Sequence, residues 1–202
     1  MSDDGTTARR RRRNPEQTRQ AILDALIEAL QAGRYNPTAK ELAAASGVSE
    51  RSVFVHFPDL TELRIAGAGA QSDYVETLIV NPDPELPLDE RIDAVVRQSE
   101  AVFTAQRNPR PLGLLESKTI PAVDERMRLT DKRIRDALAR AFAPELTRDG
   151  TQDRELLDLV EATATWAYRH QLVDRRGLSQ RAASAAIGRA LRALLDPDRA
   201  QR

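Results

Sequence analysis

The sequence predicts an all-α fold, and three of its features support this prediction. Hydrophobic residues make up 41% of the 202 residues and aromatic residues only 4%, and runs of Ala, Leu, Arg and Glu contain few glycines. That composition favours helices. Apolar residues recur three and four positions apart along most of the chain, which is the period of an amphipathic helix. We find no segment with the alternation of apolar and polar residues that is typical of a strand.

The composition also argues against several kinds of site. The chain contains no cysteine, which excludes disulfides, thiolate metal sites and cysteine nucleophiles. It has neither an apolar run of about 18 residues nor a signal-peptide pattern, so we expect a soluble cytoplasmic protein. Its two histidines, His56 and His170, belong to no recognisable catalytic or metal-binding motif. We therefore expect no enzyme, no cofactor and no metal.

Residues 38–57 read T-A-K-E-L-A-A-A-S-G-V-S-E-R-S-V-F-V-H-F and predict two short helices joined by a tight turn. Thr38 has Glu41 three residues later, so the two side chains can form a capping box at the start of the first helix. Gly47 stands where that helix must end, because a left-handed residue is strained in anything that carries a Cβ atom. Ala43 leaves room for the second helix to cross closely.

The second helix is expected over residues 50–57. Ser49 can cap it, and Val53 and Phe57 lie four residues apart, so both point toward a core. The opposite face is then free for another partner. The two elements together predict a helix-turn-helix.

With its continuation V-F-V-H-F-P-D-L-T-E-L, this motif resembles that of the TetR family of one-component transcriptional regulators. The family signature is a helix-turn-helix followed by a Tyr-x-His/Tyr-Phe run and a capped fourth helix. The resemblance covers about residues 15–63, and beyond it only length and helix count agree. It implies an N-terminal helix-turn-helix DNA-binding domain plus a C-terminal helical ligand-binding and dimerisation domain. By the same resemblance, we expect a repressor that binds double-stranded DNA at a pseudo-palindromic operator and is released by a small-molecule effector.

The sequence departs from the family pattern at two positions. Phe54 stands where a tyrosine is usual, and Leu60 stands where a lysine usually meets the DNA backbone. Both changes remove a polar group, so we expect a weaker hold on phosphate. Positive charge is nonetheless concentrated in this part of the chain: residues 5–58 contain nine Lys or Arg against five Asp or Glu. Such an excess is what phosphate binding requires.

Four segments are expected along the chain: a disordered basic arm (1–13), the helix-turn-helix domain (14–58), a helical effector-binding and dimerisation domain (59–196) and a tail (197–202). The arm ends in five consecutive arginines. Its Arg11, Arg12 and Arg13 can enter the minor groove beside the second motif helix, as homeodomain arms do. A solvated tail that does not touch DNA is the alternative.

Helix-start residues, apolar spacing and prolines predict the remaining elements. Asn14 followed by Pro15 begins the first helix, and a proline-rich segment at 81–87 is a loop. The helices after the motif are expected at about 59–79, 89–106, 111–119, 123–142, 152–175 and 179–195. The last two are rich in alanine on several faces, which predicts a homodimer that buries both. Packing of these two helices within a monomer only is the alternative.

The candidate contact residues fall into two groups. Arg51 can bond a guanine edge, Glu50 can accept from cytosine N4, and Val55 can touch a thymine methyl group. The candidates for phosphate contact are Thr38, Lys40, Ser52 and His56, and the charge of Lys40 can also be explained as an ordinary surface charge. Ser49 is a further exposed candidate for DNA contact.

A pocket in the second domain is implied by the resemblance only. The residues proposed to line it are Phe103, Met127, Trp166 and Tyr168, all of which can instead be ordinary core residues. A helical carrier or structural protein that uses the helix-turn-helix only for packing remains the competing class.

Overall fold

The computed structural model describes residues 14–148 and 150–196, without the side chain of Arg148. Its elements in chain order are α1 (Pro15–Gln31), α2 (Ala39–Ser46), α3 (Glu50–His56), α4 (Leu60–Thr77), α5 (Leu88–Gln106), α6 (Pro109–Glu116), α7 (Pro121–Ala141), α8 (Ala143–Leu146), β1 (Thr147–Arg148), β2 (Thr151–Gln152), α9 (Arg154–Ala164), α10 (Trp166–His170), a π-helical segment (Gln171–Arg175) and α11 (Gln180–Leu195). None of the described helices is long and apolar enough to span a membrane.

Polar side chains cap several of these helices where the sequence places Asn, Thr, Ser or Asp before an apolar run. The Asn14 side chain accepts a hydrogen bond from the Glu16 amide at 3.2 Å. Asp59 accepts one from the Glu62 amide at 2.8 Å. Such caps satisfy amide groups that have no partner within the helix. The start of α1 and the start of α4 therefore lie where the sequence predicts them.

Two hydrophobic cores hold the molecule together. The first joins α1, α2, α3 and the beginning of α4, and it includes Ile22, Leu26, Leu42, Val53 and Phe57. The second joins α5, α7, α8, α9 and α11. Its fully buried members include Ile92, Leu138, Phe142, Leu146, Val160, Ile187 and Leu191.

Helix α4 packs against both halves of the molecule. Leu63 near its beginning belongs to the first core. Further along, a Cβ atom added to Gly67 would lie 2.7 Å from a methyl group of Leu26, so α4 and α1 are in close contact there. One turn later the Ser72 hydroxyl is hydrogen-bonded to the Thr130 hydroxyl of α7. Movement of α4 must therefore disturb both halves.

The prediction of one continuous helix over residues 152–175 was wrong. Thr165 is extended, with φ −72° and ψ 162°, and separates α9 from α10. Its hydroxyl donates to the Ala162 carbonyl at 2.9 Å, which replaces the helical bond that this carbonyl would otherwise accept from residue 166. A π-helical turn then follows from Gln171 to Arg175. The sequence also missed the short antiparallel pairing of β1 with β2 between α8 and α9.

A buried ion pair fixes the beginning of α5 against α8, next to the end of α7. Arg91 is 4% exposed, and its guanidinium donates to both carboxylate oxygens of Glu145 at 2.6 and 2.7 Å. The same guanidinium donates to the carbonyl oxygens of Leu86 and Ala141, each at 2.8 Å. These bonds satisfy a charge that burial would otherwise make costly. Glu145 accordingly raises the pKa of Arg91.

Replacement of Glu145 by glutamine should destabilise the protein, because it leaves the buried Arg91 charge without its counter-ion. We expect a loss of about 3 kcal/mol in the free energy of unfolding, the low end of the cost of breaking a buried pair. Chemical denaturation measures this quantity. Asp124→Asn is the matched control: its partner Arg128 is 79% exposed, and such a surface pair contributes at most about 0.5 kcal/mol. Equal losses in the two variants would contradict the role given to Arg91.

Candidate nucleic-acid interface and ligand cavity

The turn between α2 and α3 is tight because a glycine and an alanine stand at its two critical positions. Gly47 adopts the left-handed conformation, with φ 69° and ψ 31°. The amide of Val48 then donates back to the Ala43 carbonyl at 3.0 Å, which closes the end of α2. Ala43 itself is 4% exposed. These features confirm the helix-turn-helix that the sequence predicts.

A capping box forms at the beginning of α2. The Glu41 amide donates to the Thr38 hydroxyl oxygen at 3.2 Å, and the Thr38 amide and hydroxyl donate to the Glu41 carboxylate at 2.7 and 2.8 Å. The hydrogen bond from the Thr38 amide is the main cause of a lowered pKa at Glu41, and the bond from the Thr38 hydroxyl adds to it. The box fixes where α2 begins relative to the loop before it.

Helix α3 is anchored at both ends. At its beginning the Ser49 hydroxyl oxygen accepts from the Ser52 amide at 3.1 Å, and the two serine hydroxyls are hydrogen-bonded at 2.8 Å. Val53 and Phe57 point into the first core, with 2% and 3% of their surface exposed. The guanidinium of Arg19 lies over the Phe57 ring, 4.7 Å from its centroid. The face of α3 that points outward is therefore fixed.

The outward face presents most of the side chains proposed for DNA contact. Thr38, Lys40, Ser49, Glu50, Arg51 and Val55 are exposed, and Ser52 and His56 are half-buried. Three of the proposed DNA contacts, Thr38, Ser49 and Ser52, already use their hydroxyl groups in hydrogen bonds at helix caps. The arginines at positions 11, 12 and 13 lie outside the described residues. Phe54, which was not among the proposed contacts, is 53% exposed on the same helix.

An apolar cavity that is partly open to solvent, which we call the Met127 cavity, lies where the two halves of the molecule meet. Its walls come from α1, the loop before α2, α4, α6 and α7. Of the four residues proposed to line a pocket, Met127 lies in this wall. Trp166 lines a second cavity. Phe103 is fully buried, with its ring centroid 6.2 Å from that of Trp166, and Tyr168 is 36% exposed and lines neither cavity.

Three polar side chains of the Met127 cavity were not anticipated from the sequence. Glu116, at the end of α6, is only 9% exposed. The Nε atom of Arg64, on α4, lies 3.1 Å from Glu116 Oε1, but that oxygen has no hydrogen bond, so the contact is an ion pair without aligned geometry. Gln71, two turns beyond Arg64, donates to the Ala105 carbonyl at 3.0 Å, while its buried Oε1 has no hydrogen-bond partner.

Burial raises the pKa of Glu116, and the nearby Arg64 opposes this shift only in part. One sequence signal points to the α4 wall: Arg64, Gly67, Ala68 and Gln71 recur at helical spacing and so share a face. Nothing in the sequence marks Glu116 as buried. The part of the chain that the structure describes contains no cluster of three or more His, Asp or Glu residues that could hold a metal ion.

No family model and no curated protein matches this chain. Solved structures do resemble it over most of its length. A transcriptional regulator from Rhodococcus sp. Rha1 superposes with a TM-score of 0.67 at 17% identity, over 91% of this chain and 96% of the other. A TetR-family transcriptional regulator from Streptomyces coelicolor gives a TM-score of 0.67 at 17% identity, over 93% and 84% of the two chains.

A third structure is the multidrug binding protein EbrR in complex with imidazole, with a TM-score of 0.58 at 19% identity, over 85% of this chain and 93% of the other. The chain therefore has the fold of TetR-family transcriptional regulators. Its helical architecture, with an N-terminal helix-turn-helix followed by a helical domain, confirms the predicted fold class.

Replacement of Thr38 by alanine should raise the pKa of Glu41 part of the way toward its ordinary value of 4.5, because it removes the hydroxyl hydrogen bond and keeps the amide hydrogen bond that is the main cause of the shift. Because the folded-state pKa lies below the unfolded one, the capping box stabilises the protein fully above about pH 4.5 and loses this effect as the pH falls through the folded pKa. Titration of the Glu41 carboxyl by NMR in both proteins measures the difference. Thr104→Ala, at an exposed threonine of α5, is the control. An unchanged pKa in Thr38→Ala would contradict the contribution assigned to the Thr38 hydroxyl.

Proposed function

We propose that this protein is a DNA-binding transcriptional repressor that binds a pseudo-palindromic operator as a homodimer and is released by a small-molecule effector. The observation that carries the proposal is the exposed outer face of α3, held rigidly on a helix-turn-helix within the fold of TetR-family regulators. A helix in this position can enter the major groove of DNA. A structural or carrier protein has no need of an exposed Arg51 and Glu50 on such a helix.

Base recognition is assigned to the centre of that face. Arg51 and Glu50 are exposed in the first turn of α3, where the N-terminal residues of a recognition helix meet base edges. Val55 is 69% exposed and is suited to a thymine methyl group. We add Phe54, because an exposed aromatic ring beside Val55 can make the same kind of apolar contact.

Fewer side chains are available for phosphate binding than for base recognition. Lys40 is exposed near the beginning of α2 and carries a charge that can approach the DNA backbone. The hydroxyls of Thr38 and Ser49 can reach phosphate only by sharing hydrogen bonds with their helix caps. We therefore assign part of the electrostatic attraction to the arginine arm, residues 9–13, which can follow the minor groove.

Dimerisation is assigned to the exposed apolar surface of α9 and α11. Leu159 on α9 is 54% exposed, and Ala162 lies exposed on the same helix. Ala182 and Ala185 are exposed on α11, which packs against α9. Small side chains permit close helix approach, and a second copy would cover this surface. Two-fold symmetry would then give two α3 helices for two half-sites.

Effector control is assigned to the Met127 cavity. Its walls include Leu26 of α1 and Met127 of α7, with α4 between them. The helix-turn-helix is attached to this region by α4 and by a hydrogen bond from the Asn108 side chain to the Gln31 carbonyl at 2.6 Å. A ligand that moves α4 would therefore change the position of α3. The bound imidazole in EbrR supports a ligand-binding role for this fold.

Selection of DNA from a random pool by the purified full-length protein, followed by sequencing, tests the proposal. We expect enrichment of a pseudo-palindrome whose half-sites lie about 34 to 36 Å apart or a multiple of that. Enrichment of nothing, or of one asymmetric half-site, would overturn it.

The variants Arg51→Ala and Lys40→Ala should affect binding to the selected DNA in different ways. Loss of Arg51 should abolish the preference for one base pair, which is worth about 1 to 3 kcal/mol, because it removes a bidentate contact. Loss of Lys40 should weaken binding to all sequences alike and reduce the salt slope by about 1. Fluorescence anisotropy with operator and single-substitution variants measures both. Indistinguishable effects would mean that α3 faces the DNA differently.

Deletion of residues 1–13 should lower the salt dependence of DNA binding. Each phosphate that the arm no longer neutralises should reduce the slope of log K against log salt by about 0.9, because fewer counter-ions are released. A titration across several salt concentrations measures the slope. Deletion of residues 197–202, which also removes arginines, is the control. An unchanged affinity at every salt concentration would exclude a role for the arm.

Leu159→Glu should convert the dimer into a monomer, because it places a charge in an interface that excludes water. Analytical ultracentrifugation measures the mass as a function of concentration. Leu115→Glu, on α6, is the matched control, since Leu115 is 64% exposed and lies outside α9 and α11. A dimer that survives Leu159→Glu, or one that dissociates equally in both variants, would contradict the assigned interface.

A further inference from the structure

Two buried polar atoms of the Met127 cavity lack a hydrogen bond, and both are acceptors. They are Oε1 of Glu116 and Oε1 of Gln71. Both residues line the cavity, and both oxygens are shielded from solvent by the surrounding protein. A buried acceptor without a donor costs free energy, so these atoms favour a ligand that brings N–H or O–H groups. The rest of the wall is mostly apolar and suits a hydrocarbon or aromatic body.

The arginines of the cavity wall do not form a buried site for an anion that matches the buried acceptors available to a donor. Arg110 donates to both carboxylate oxygens of Asp131 at 2.9 Å and is therefore neutralised. Arg126 is exposed and can remain solvated. Arg64 is 39% exposed and lies against Glu116 without a hydrogen bond. The carboxylate of Glu116 is therefore more deeply buried than its counter-ion, the guanidinium of Arg64.

We propose that the cavity takes an amphiphilic primary amine, whose ammonium group replaces Arg64 as the partner of Glu116 while its apolar body fills the space beside Met127. An ammonium group has three N–H donors and no acceptor, which suits a site whose unbonded polar atoms are acceptors. Charge-assisted hydrogen bonds of this kind are stronger than neutral ones. The raised pKa of Glu116 agrees with a buried carboxyl that lacks an adequate cation.

The consequence for regulation rests on the proposed function. Arg64 belongs to α4 and Glu116 to α6, so their ion pair links the helix that follows the motif to the wall of the cavity. An amine that forms the ion pair with Glu116 displaces Arg64. The Arg64 guanidinium is already half-exposed, so water can hydrate it after the displacement. The ion pair then no longer holds this turn of α4 against α6, and the operator affinity falls.

Three ligands of one shape test the chemical class: 4-phenylbutylamine, 4-phenylbutanol and 4-phenylbutanoate. Isothermal titration calorimetry of the full-length protein at neutral pH should show that the amine binds at least about tenfold more tightly than the alcohol or the acid. One charge-assisted hydrogen bond contributes enough free energy for such a difference in affinity. Equal affinities for the amine and the alcohol, or tightest binding of the acid, would overturn the proposal.

Two variants test whether the ammonium group binds at Glu116. In Glu116→Gln the amine should lose its advantage over the alcohol, while Glu125→Gln, at an exposed glutamate of α7, should leave the advantage unchanged. Arg64→Ala removes the competing cation and should tighten amine binding several-fold, which provides a test if Glu116→Gln does not fold. An unchanged advantage in Glu116→Gln, or weaker amine binding in Arg64→Ala, would contradict the assigned contact.

Binding of the selected DNA separates this inference from the proposed function. If the amine site and the repressor function are both correct, the amine lowers the operator affinity of the wild-type protein and not that of Glu116→Gln. Selection of an operator without any preference for the amine would refute the inference and leave the repressor intact. Preference for the amine at Glu116 with no selection of DNA would refute the repressor and leave the ligand site intact.

Discussion

Helix α4 is packed into both halves of the molecule, and the position of the helix-turn-helix depends on that packing. Its beginning belongs to the first core through Leu63, and Gly67 brings its backbone against Leu26 of α1. Further along, α4 packs along α7, where Ser72 meets Thr130. Since no side chain larger than hydrogen fits between α4 and α1 without displacing Leu26, the two helices are set at a fixed separation. Control of α3 from the second half of the molecule can act through this helix, and the hydrogen bond from Asn108 to the Gln31 carbonyl is a second connection.

The cavity lies beside that contact, and the proposed amine would pair with its buried acceptors. Apolar walls alone would favour any hydrophobic molecule, whereas the oxygens of Glu116 and Gln71 that lack a hydrogen bond favour one that carries donor groups. Burial of such acceptors costs stability in the free protein. The cost can be recovered when a donor binds, which makes the cavity selective. The Arg64 contact, an ion pair without a hydrogen bond, is the kind that a better-placed cation can displace.

Much of the fold could be predicted from the sequence because local signals determine it. Thr38, Gly47 and Ser49 specify the turn of the motif through capping and a left-handed glycine, and these preferences do not depend on the rest of the chain. The break at Thr165 could not be predicted, because apolar spacing continues through it and only a side-chain hydrogen bond marks the change. The cavity could not be predicted either, since the burial of Glu116 results from how α6 meets α4.

The distance between the two copies of the helix-turn-helix tests the account most directly. The chain has no cysteine, so Ala44→Cys, at an exposed position of α2, gives one spin label in each copy. Electron paramagnetic resonance on the operator complex should show a single narrow distance between labels, consistent with α3 helices about 34 to 36 Å apart or a multiple of that. The same label in the Arg64→Ala variant should show a broader or shifted distribution. Absence of any intermolecular coupling on DNA, or identical distributions in the two proteins, would contradict the account.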